Sequence, residues 1–271
     1  MTVDEDAESE DFESGRRPLR IAVTGAGGRM GREVLAAAAS REATTVDVAV
    51  NRSEAGSVEG IDVADAARLS DLLADREPAV LVDFTGPESA SSYVEIAAEA
   101  GVAVVTGTTG FDEDELARLR AASESVPVLK ASNFARGVAA LRRAVREAVA
   151  AVPGYDVELM ETHHNGKRDA PSGTAKSLLA DVESVRSDLD RRVHGRVGEA
   201  PREASEVGVH ARRAGDITGE HEVLLAGNRE TIQLTHRAGD RGVFAAGALD
   251  AAAWLADREP GWYEFDDVLD A

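Results

Sequence analysis

Cysteine is absent from this chain of 271 residues, and several kinds of site are excluded with it. A chain without thiols forms no disulfides, binds no metal through thiolates and holds no iron–sulfur cluster. Long apolar runs are also missing, because the best candidate, 244–255, is interrupted by Asp250 and a membrane span needs about 18 apolar residues. The N-terminus lacks the basic and then apolar order of a secretory signal. We therefore expect a cytoplasmic protein with no membrane partner.

Lysine is nearly as scarce. Of the 30 basic residues only Lys130, Lys167 and Lys176 are lysines, whereas acidic residues number 50 and the net charge is −20. A surface of this charge would repel a phosphate lattice, which argues against nucleic acid and anionic membranes as partners. Excess carboxylate with arginine in place of lysine is typical of a halophilic protein in a high-salt cytoplasm, although a GC-rich genome favours the same residues.

The first half of the chain predicts one kind of fold. Residues 1–17 carry seven carboxylates and little apolar matter, so we expect a disordered acidic tail there. After it, apolar, β-branched runs alternate with helical patterns, which favours an α/β fold with a Rossmann-type, doubly wound parallel sheet. Strands are predicted at 19–25, 44–50, 79–85, 102–107 and 127–132, and helices at 26–40, 69–74, 88–100 and 112–125.

The rhythm of the sequence changes after Asn133. A helix is predicted at 135–150 and a strand at 155–164, and then strands at 206–213, 221–230 and 231–237 follow one another without helices. Successive strands of this kind favour a smaller α+β domain with an antiparallel or mixed sheet. The last helix, 243–256, has no strands of its own to cover, so we expect it to return to the first sheet. The predicted domains are therefore 18–134 with 242–271, and 135–241.

A glycine-rich turn follows the first predicted strand. In "VTGAGGRMG" the glycines are Gly25, Gly27, Gly28 and Gly31, which departs from the strict G-x-G-x-x-G pattern because Met30 stands where the last glycine would be. The physical requirement is still met: the chain turns tightly, and backbone N–H groups can approach a pyrophosphate at a helix N-terminus. A flexible connection is the alternative, but the strand–turn–helix context favours dinucleotide binding at Gly25, Ala26, Gly27, Gly28, Arg29 and Met30.

The end of the second predicted strand indicates which dinucleotide is bound. Twenty residues after Gly31 stands Asn51, followed by Arg52. No carboxylate is there to hold a ribose 2′-hydroxyl, and an arginine can pair with a 2′-phosphate. This favours NADPH, although Arg52 could be an ordinary loop cation and Glu54 leaves NADH use possible.

Two further stretches lie at the ends of the fourth and fifth predicted strands, where doubly wound sheets bind ligands. Each alone is typical of a turn or a helix cap. Together they predict the rim of a cofactor cleft, at Gly107, Thr108 and Thr109 in the first stretch and at Ala131, Ser132, Asn133 and Phe134 in the second.

The stretch "ETHHNGKRDAPSGTAKS" gathers titratable and cationic groups in one turn. Asn165-Gly166 and Pro171 argue against a helix, so we expect His163 to end a strand and Lys167 to fold back over it. Ser172, Gly173 and Thr174 then begin a helix whose N–H groups suit a carboxylate. A histidine or a lysine of lowered pKa can donate a proton. A solvated loop is one alternative, and a metal site is another, disfavoured because adjacent histidines on a strand point in opposite directions.

The motifs of the chain from Leu19 onward resemble those of the 4-hydroxy-tetrahydrodipicolinate (dihydrodipicolinate) reductase family. They are "VTGAGGRMG", "DFTGPE", "GTTG", "SNFARGV", "HHNGKRDAPSGTA", "RAGDITGEHEV" and "THRAGDRGVFAAGAL". The resemblance implies a Rossmann domain, and a central domain that binds substrate and forms a homotetramer. It implies that His163 and Lys167 are catalytic proton-transfer residues and that His164, Ser172, Gly173 and Thr174 hold substrate carboxylates.

The implied reaction is NAD(P)H-dependent reduction of a cyclic imine dicarboxylate, with loss of water, in lysine and diaminopimelate biosynthesis. Asn51 stands where many relatives carry an acid, and Gly86 where they often carry a basic residue. Other functional classes remain: a two-domain amino acid dehydrogenase would share the glycine turn, and a dinucleotide-sensing regulator would need a DNA- or partner-binding element that the sequence does not offer.

Overall fold

The computed structural model describes residues 18–53 and 56–270; the predicted acidic tail at 1–17 lies outside them. The first sheet has seven parallel strands in the order β14-β8-β7-β6-β1-β2-β5. Its strands are β1 (Leu19–Thr24), β2 (Thr44–Asn51), β5 (Ala64–Asp65), β6 (Val80–Asp83), β7 (Ala103–Thr106), β8 (Pro127–Lys130) and β14 (Gly261–Tyr263). A separate two-stranded ribbon pairs β3 (Ser57–Val58) with β4 (Ile61–Asp62).

Helices cover both faces of the first sheet. They are α1 (Arg29–Ala39), α2 (Leu69–Arg76), α3 (Pro87–Glu99), α4 (Glu113–Ala122), α7 (Gly242–Leu255) and α8 (Phe265–Leu269). The core on one face joins α1, α7 and α8, and the core on the other joins α2, α3 and α4. Burial on both faces explains why these strands read as continuous apolar runs. The alanine-rich α7 packs against α1 and the central strands.

The second sheet is mixed. Its order is β10-β11-β9-β12-β13, with β9 parallel to β11 and antiparallel to β12. The elements of this part are α5 (Arg136–Ala151), β9 (Asp156–His163), α6 (Gly173–Val185), β10 (Arg191–Val193), β11 (Glu206–Arg213), β12 (Gly219–Gly227) and β13 (Glu230–Ala238). Apolar residues of one sheet face pack against α5 and α6. On β9 this face begins with Val157 and Leu159, and the same alternation brings Glu161 and His163 to its end.

The predicted fold class, a doubly wound parallel sheet beside a smaller mixed sheet, is confirmed. The strand expected at 221–230 is wrong at its end: it stops at Gly227, because Asn228 and Arg229 have φ of 45° and 64° and make the hairpin turn. Strands β3, β4, β5, β10 and β14 and helix α8 were not predicted. None of the helices in 18–53 and 56–270 combines the length and the apolar character needed to cross a bilayer.

Candidate active site

A cavity of about 650 Å³ lies between the loops of the first sheet and the end of the second. The first sheet changes direction of winding between β1 and β6, and ligands of doubly wound folds bind beyond the carboxyl ends of the strands at such a point. The predicted residues that line the cavity are Met30, Gly107, Thr109, Ser132, Asn133, Phe134, His163, His164, Lys167, Ser172, Gly173 and Thr174.

The glycine turn is built for close approach. Gly25 has φ of +69°, and a Cβ on Gly31 would lie 2.1 Å from the Gly25 carbonyl oxygen, so the turn and α1 pack backbone to backbone. Gly28 is the N-cap residue of α1, and within the described chain no side chain caps this end of the helix. The backbone N–H groups at the N-terminus of α1 are therefore suited to binding a pyrophosphate. Gly25, Ala26, Gly27, Gly28 and Arg29 lie outside the cavity lining itself.

Asn51 is the last residue of β2 and Arg52 follows it; both lie outside the cavity lining. The Asn51 amide donates to the backbone oxygen and the hydroxyl of Ser53, each at 3.0 Å. Arg52 is exposed, and its charge lies near enough to Tyr93 to oppose the rise in the pKa of that phenol that burial causes. Glu54 is outside the described residues. The two residues predicted to contact the ribose thus lie at the carboxyl end of β2, the strand that pairs with β1.

Thr108 and Ala131 are buried beneath the cavity wall rather than in it. The Thr108 hydroxyl donates to the Asp83 carboxylate at 2.7 Å and accepts from the Thr85 backbone N–H at 3.1 Å. The Ala131 N–H donates to the Thr106 carbonyl at 3.1 Å. Both residues therefore support the loops that carry Thr109 and Ser132.

His163 ends β9, as predicted, and its ring is held by Glu161 two residues earlier. The Nδ1 atom of His163 lies 2.5 Å from Glu161 Oε2. Glu161 is fully buried and also accepts two bonds from the Arg213 guanidinium, at 2.9 and 2.8 Å, and one from the Ser172 N–H at 3.3 Å. The carboxylate is thus surrounded by donors, and Nδ1 of His163 is the nitrogen that faces it.

The charges of this pair follow from their neighbours. Burial acts to raise the pKa of Glu161, but the bonds from Arg213 and His163 outweigh it and lower that pKa. Burial lowers the pKa of His163, against the opposing effect of Glu161. An ionised Glu161 beside a neutral His163 requires the imidazole hydrogen on Nδ1. The Nε2 lone pair of His163 is then available at the cavity.

Lys167 folds back from the Asn165-Gly166 turn, and its ammonium lies 2.9 Å from Asp169 Oδ1. This contact lowers the pKa of Asp169. An ammonium has three hydrogens, so Lys167 can hold Asp169 and still donate into the cavity. Ser172 begins α6, where its hydroxyl accepts from the Ala175 N–H at 3.2 Å.

The structure brings all six residues predicted for catalysis and substrate binding to one cavity. His163 and His164 both line it, which the expected alternation on a strand did not allow: His164 lies beyond the end of β9, where the pleat no longer applies. The described residues contain no group of three His, Asp or Glu side chains suited to a metal ion.

Several residues of this site were not predicted from the sequence. Arg213 supports Glu161 from β11, while Gly219, His221, His236 and Arg241 contribute to the cavity from β12, β13 and the start of α7. They are far from His163 in the sequence and reach it through strand pairing. Glu161 was also not predicted, although the sequence held a signal for it. The period of two on β9 places Glu161 on the same face as His163.

A Rossmann-type sheet with an uncapped glycine turn, facing a mixed sheet that carries an ordered histidine and a lysine, defines a two-domain, dinucleotide-dependent oxidoreductase. Residues 19–134 match the family model "Dihydrodipicolinate reductase, N-terminus", and residues 137–269 match "Dihydrodipicolinate reductase, C-terminus". The chain belongs to the dihydrodipicolinate reductase family, as its motifs predicted.

Individual relatives agree with the family models. The chain is 54% identical to the 4-hydroxy-tetrahydrodipicolinate reductase of Haloarcula marismortui, over 93% of this chain and 99% of that one. It is 55% identical to the enzyme of the same name from Natronomonas pharaonis, over 93% and 100%. Among solved structures, the dipicolinate-bound dihydrodipicolinate reductase of Paenisporosarcina sp. TG-14 has a TM-score of 0.74 at 23% identity, covering 92% of this chain and 99% of that one.

Proposed function

We propose that the chain catalyses the NAD(P)H-dependent reduction of 4-hydroxy-tetrahydrodipicolinate to tetrahydrodipicolinate, with loss of water, in lysine and diaminopimelate biosynthesis. The observation that carries the proposal is the single cavity that Met30 of α1 and Thr109 of the loop after β7 line together with His163, Lys167 and the start of α6. A hydride donor and a dicarboxylate ring can meet only where the residues that bind the cofactor and those that bind the substrate share one cavity.

Separate groups of residues bind the cofactor and the substrate carboxylates. The turn from Gly25 to Met30 binds the pyrophosphate, and Gly107, Thr109 and 132–134 line the space beside it. NAD(P)H supplies the hydride. His164 and the Ser172-Gly173-Thr174 helix start hold the ring carboxylates, because unpaired N–H groups and hydroxyls favour anions.

His163 and Lys167 move protons at the ring. Loss of the hydroxyl as water and reduction of the ring both involve proton transfer, and the two residues offer an ordered Nε2 lone pair and an ammonium within the same cavity. Glu161 keeps the His163 hydrogen on Nδ1. The cations also compensate a doubly charged substrate in a protein whose net charge is −20.

The test is consumption of NADPH in the presence of enzymatically generated 4-hydroxy-tetrahydrodipicolinate. His163→Ala and Lys167→Ala should each lower kcat by about 10²- to 10⁴-fold, as expected for a lost proton-transfer group, while cofactor binding persists. Lys176→Ala is the matched control, since Lys176 is exposed on α6 and does not line the cavity. Full activity in either site variant, or oxidation of an amino acid instead, would contradict the proposal.

We further propose NADPH as the preferred cofactor, with NADH possible. The exposed guanidinium of Arg52 can pair with a 2′-phosphate, and Asn51 offers no carboxylate to a 2′-hydroxyl. Arg52→Ala should raise the KM for NADPH roughly 10-fold and leave the KM for NADH nearly unchanged. Equal changes in both constants would show that Arg52 does not bind the 2′-phosphate.

The remaining proposals concern the whole protein. Residues 18–134 and 242–271 form the dinucleotide-binding domain, and 135–241 form the substrate-binding and oligomerisation domain. The sheet face opposite α5 and α6, which carries Met160 and His210, pairs with other copies in a cytoplasmic, halophilic homotetramer. Light scattering across molar salt concentrations measures both the mass and its salt dependence.

A further inference from the structure

A row of three polar side chains crosses the second sheet where the sheet borders the cavity. His221 on β12 lies in register with Glu161 of β9 on one side and with His236 of β13 on the other. His221 is 4% exposed and lines the cavity. Neither the mechanism above nor the sequence motifs assigns it a role.

His221 contacts the residue that begins α6. Its Nε2 atom lies 3.1 Å from the Ser172 hydroxyl oxygen, which also accepts the Ala175 N–H at 3.2 Å. The Nδ1 atom of His221 is buried, and among residues 18–53 and 56–270 it has no hydrogen-bond partner. Ser172 itself is 2% exposed and lines the cavity.

These contacts decide which nitrogen of His221 carries the hydrogen. Burial, and then the nearby His163, lower the pKa of His221 to about 4, so the ring is neutral near neutral pH and has one N–H. A hydrogen on Nδ1 would be a buried donor without a partner, which is costly and rare, whereas an unpaired acceptor nitrogen is tolerated more often. The hydrogen therefore belongs on Nε2, where it is donated to Ser172.

The Ser172 hydroxyl is oriented as a result. Its oxygen accepts two hydrogens, from His221 and from Ala175, so its own hydrogen has to point away from both. With the opposite tautomer of His221, Ser172 would donate to the imidazole and present only lone pairs to an approaching anion. His221 thus determines whether Ser172 is a donor or an acceptor at the cavity.

We propose that His221 is a positioning residue that fixes the Ser172 hydroxyl as a hydrogen-bond donor to a carboxylate of the substrate. This inference rests on the proposed function, in which Ser172 binds that carboxylate. It predicts that His221 acts on dicarboxylate binding through Ser172, and that it contributes little to proton transfer or to cofactor binding.

The variants at position 221 differ in whether the side chain is long enough to donate a hydrogen bond to Ser172. His221→Gln places an amide nitrogen near the position of Nε2 and can still donate to Ser172, whereas the shorter His221→Asn cannot. His221→Leu replaces the Asn variant if that variant does not fold. His194→Gln is the control, because His194 is exposed and does not line the cavity.

The measurements are the dissociation constant of dipicolinate by calorimetry and the steady-state constants. We expect His221→Asn and Ser172→Ala each to weaken dipicolinate binding and to raise the substrate KM roughly 10-fold, as for a lost bond to a charged group. The His221→Gln variant should stay within about 3-fold of the unmodified protein, since it keeps the donor. The kcat and the KM for NADPH should change little.

The double variant His221→Asn/Ser172→Ala separates this role from a general structural one. If His221 acts through Ser172, the double variant binds dipicolinate no more weakly than Ser172→Ala alone. If the losses of dipicolinate affinity in the two single variants multiply in the double variant, this inference is overturned. It is also overturned if both single variants bind dipicolinate as the unmodified enzyme does while that enzyme reduces its substrate. The proposed function stands in either case. An unmodified protein that neither reduces the substrate nor binds dipicolinate would overturn both.

Discussion

At the scale of single residues, the His163 ring has close neighbours on two sides. Glu161 contacts Nδ1 at 2.5 Å, and Gly219 of β12 lies beside the other nitrogen, Nε2. A Cβ on Gly219 would lie 3.2 Å from Nε2 and 3.4 Å from Cδ2 of His163. The absence of a side chain at this position leaves Nε2 accessible, so Gly219 is part of the site although it carries no functional group.

Gly219→Ala should therefore lower kcat roughly 10- to 100-fold, because a displacement of His163, the proposed proton-transfer residue, by a fraction of an ångström is enough to disturb the reaction geometry. The fold should persist, since Gly219 is not among the residues with positive φ and alanine fits a strand. The measurement is kcat together with the thermal midpoint. Gly239→Ala, with open space around its Cβ position, is the control, and full activity of Gly219→Ala would contradict the role.

Sequence reasoning found the residues that lie together in one loop. His163, His164, Lys167 and 172–174 are within a dozen positions, so their chemistry was visible without knowledge of the fold. Gly219 and His221 were not found, because only strand register brings them beside β9. The tautomer of His163 was equally hidden, since it depends on which nitrogen faces Glu161.

At the scale of elements, one carboxylate joins the ends of three neighbouring strands. Asp83, at the end of β6, is fully buried and accepts hydrogen bonds from the hydroxyls of four threonines. They are Thr24 of β1 at 2.7 Å, Thr85 at 2.7 Å, Thr106 of β7 at 2.9 Å and Thr108 at 2.7 Å. These bonds fix the glycine turn relative to the loop that carries Thr109.

Asp83→Asn should loosen this junction. An amide keeps only one oxygen, so at least one buried threonine hydroxyl loses its acceptor, at a cost of about 1–3 kcal/mol in the free energy of unfolding. Because the junction supports the cofactor loops, the KM for NADPH should rise while that for the dicarboxylate changes little. Denaturant unfolding and steady-state kinetics measure the two effects.

The control for Asp83→Asn is Ser123→Ala, which removes a buried hydroxyl that donates to the Arg120 carbonyl at 2.6 Å at the end of α4, outside the Asp83 junction. It should cost about 1 kcal/mol and leave the cofactor KM nearly unchanged. An Asp83→Asn variant with equal changes in both KM values would show that the carboxylate supports the fold in general rather than the cofactor loops.

Elements were predictable where they were long. Alternating strands and helices from Leu19 to Phe134 predicted the parallel sheet, because each strand is buried on both faces and reads as an apolar run. The short strands β5, β10 and β14 have two or three residues and carry no periodicity to detect. Their pairing depends on neighbours already in place, as β14 shows by extending the sheet beside β8.

At the scale of the whole molecule, charge was predictable in its total and not in its distribution. The excess of 50 acidic over 30 basic residues was read from the composition. The grouping of Lys167, Arg213 and Arg241 around one cavity followed from the fold. The same enclosure holds several histidines away from solvent, and this makes stability depend on pH.

The dependence on pH has a definite sign. Burial lowers the pKa values of His163 and His236, and it lowers the pKa of His221 to about 4. Between about 6.5 and 4 the unfolded chain binds a proton at His221 that the folded chain does not, so stability is complete above about 6.5 and falls as the pH falls. From pH 7 to pH 5, above the sequence pI of 4.7, His221 should account for a loss of about 2 kcal/mol.

His221→Gln removes this titration, so its free energy of unfolding should fall by about 2 kcal/mol less than that of the unmodified protein between pH 7 and pH 5. Denaturant unfolding at several pH values, at constant salt, gives the difference directly. His194→Gln serves as the control because His194 is exposed, and it should follow the unmodified protein. Both proteins lose net negative charge over the same range, so relief of repulsion cancels in the comparison. Parallel curves for His221→Gln and the unmodified protein would mean that His221 takes up its proton equally well in the folded and the unfolded state.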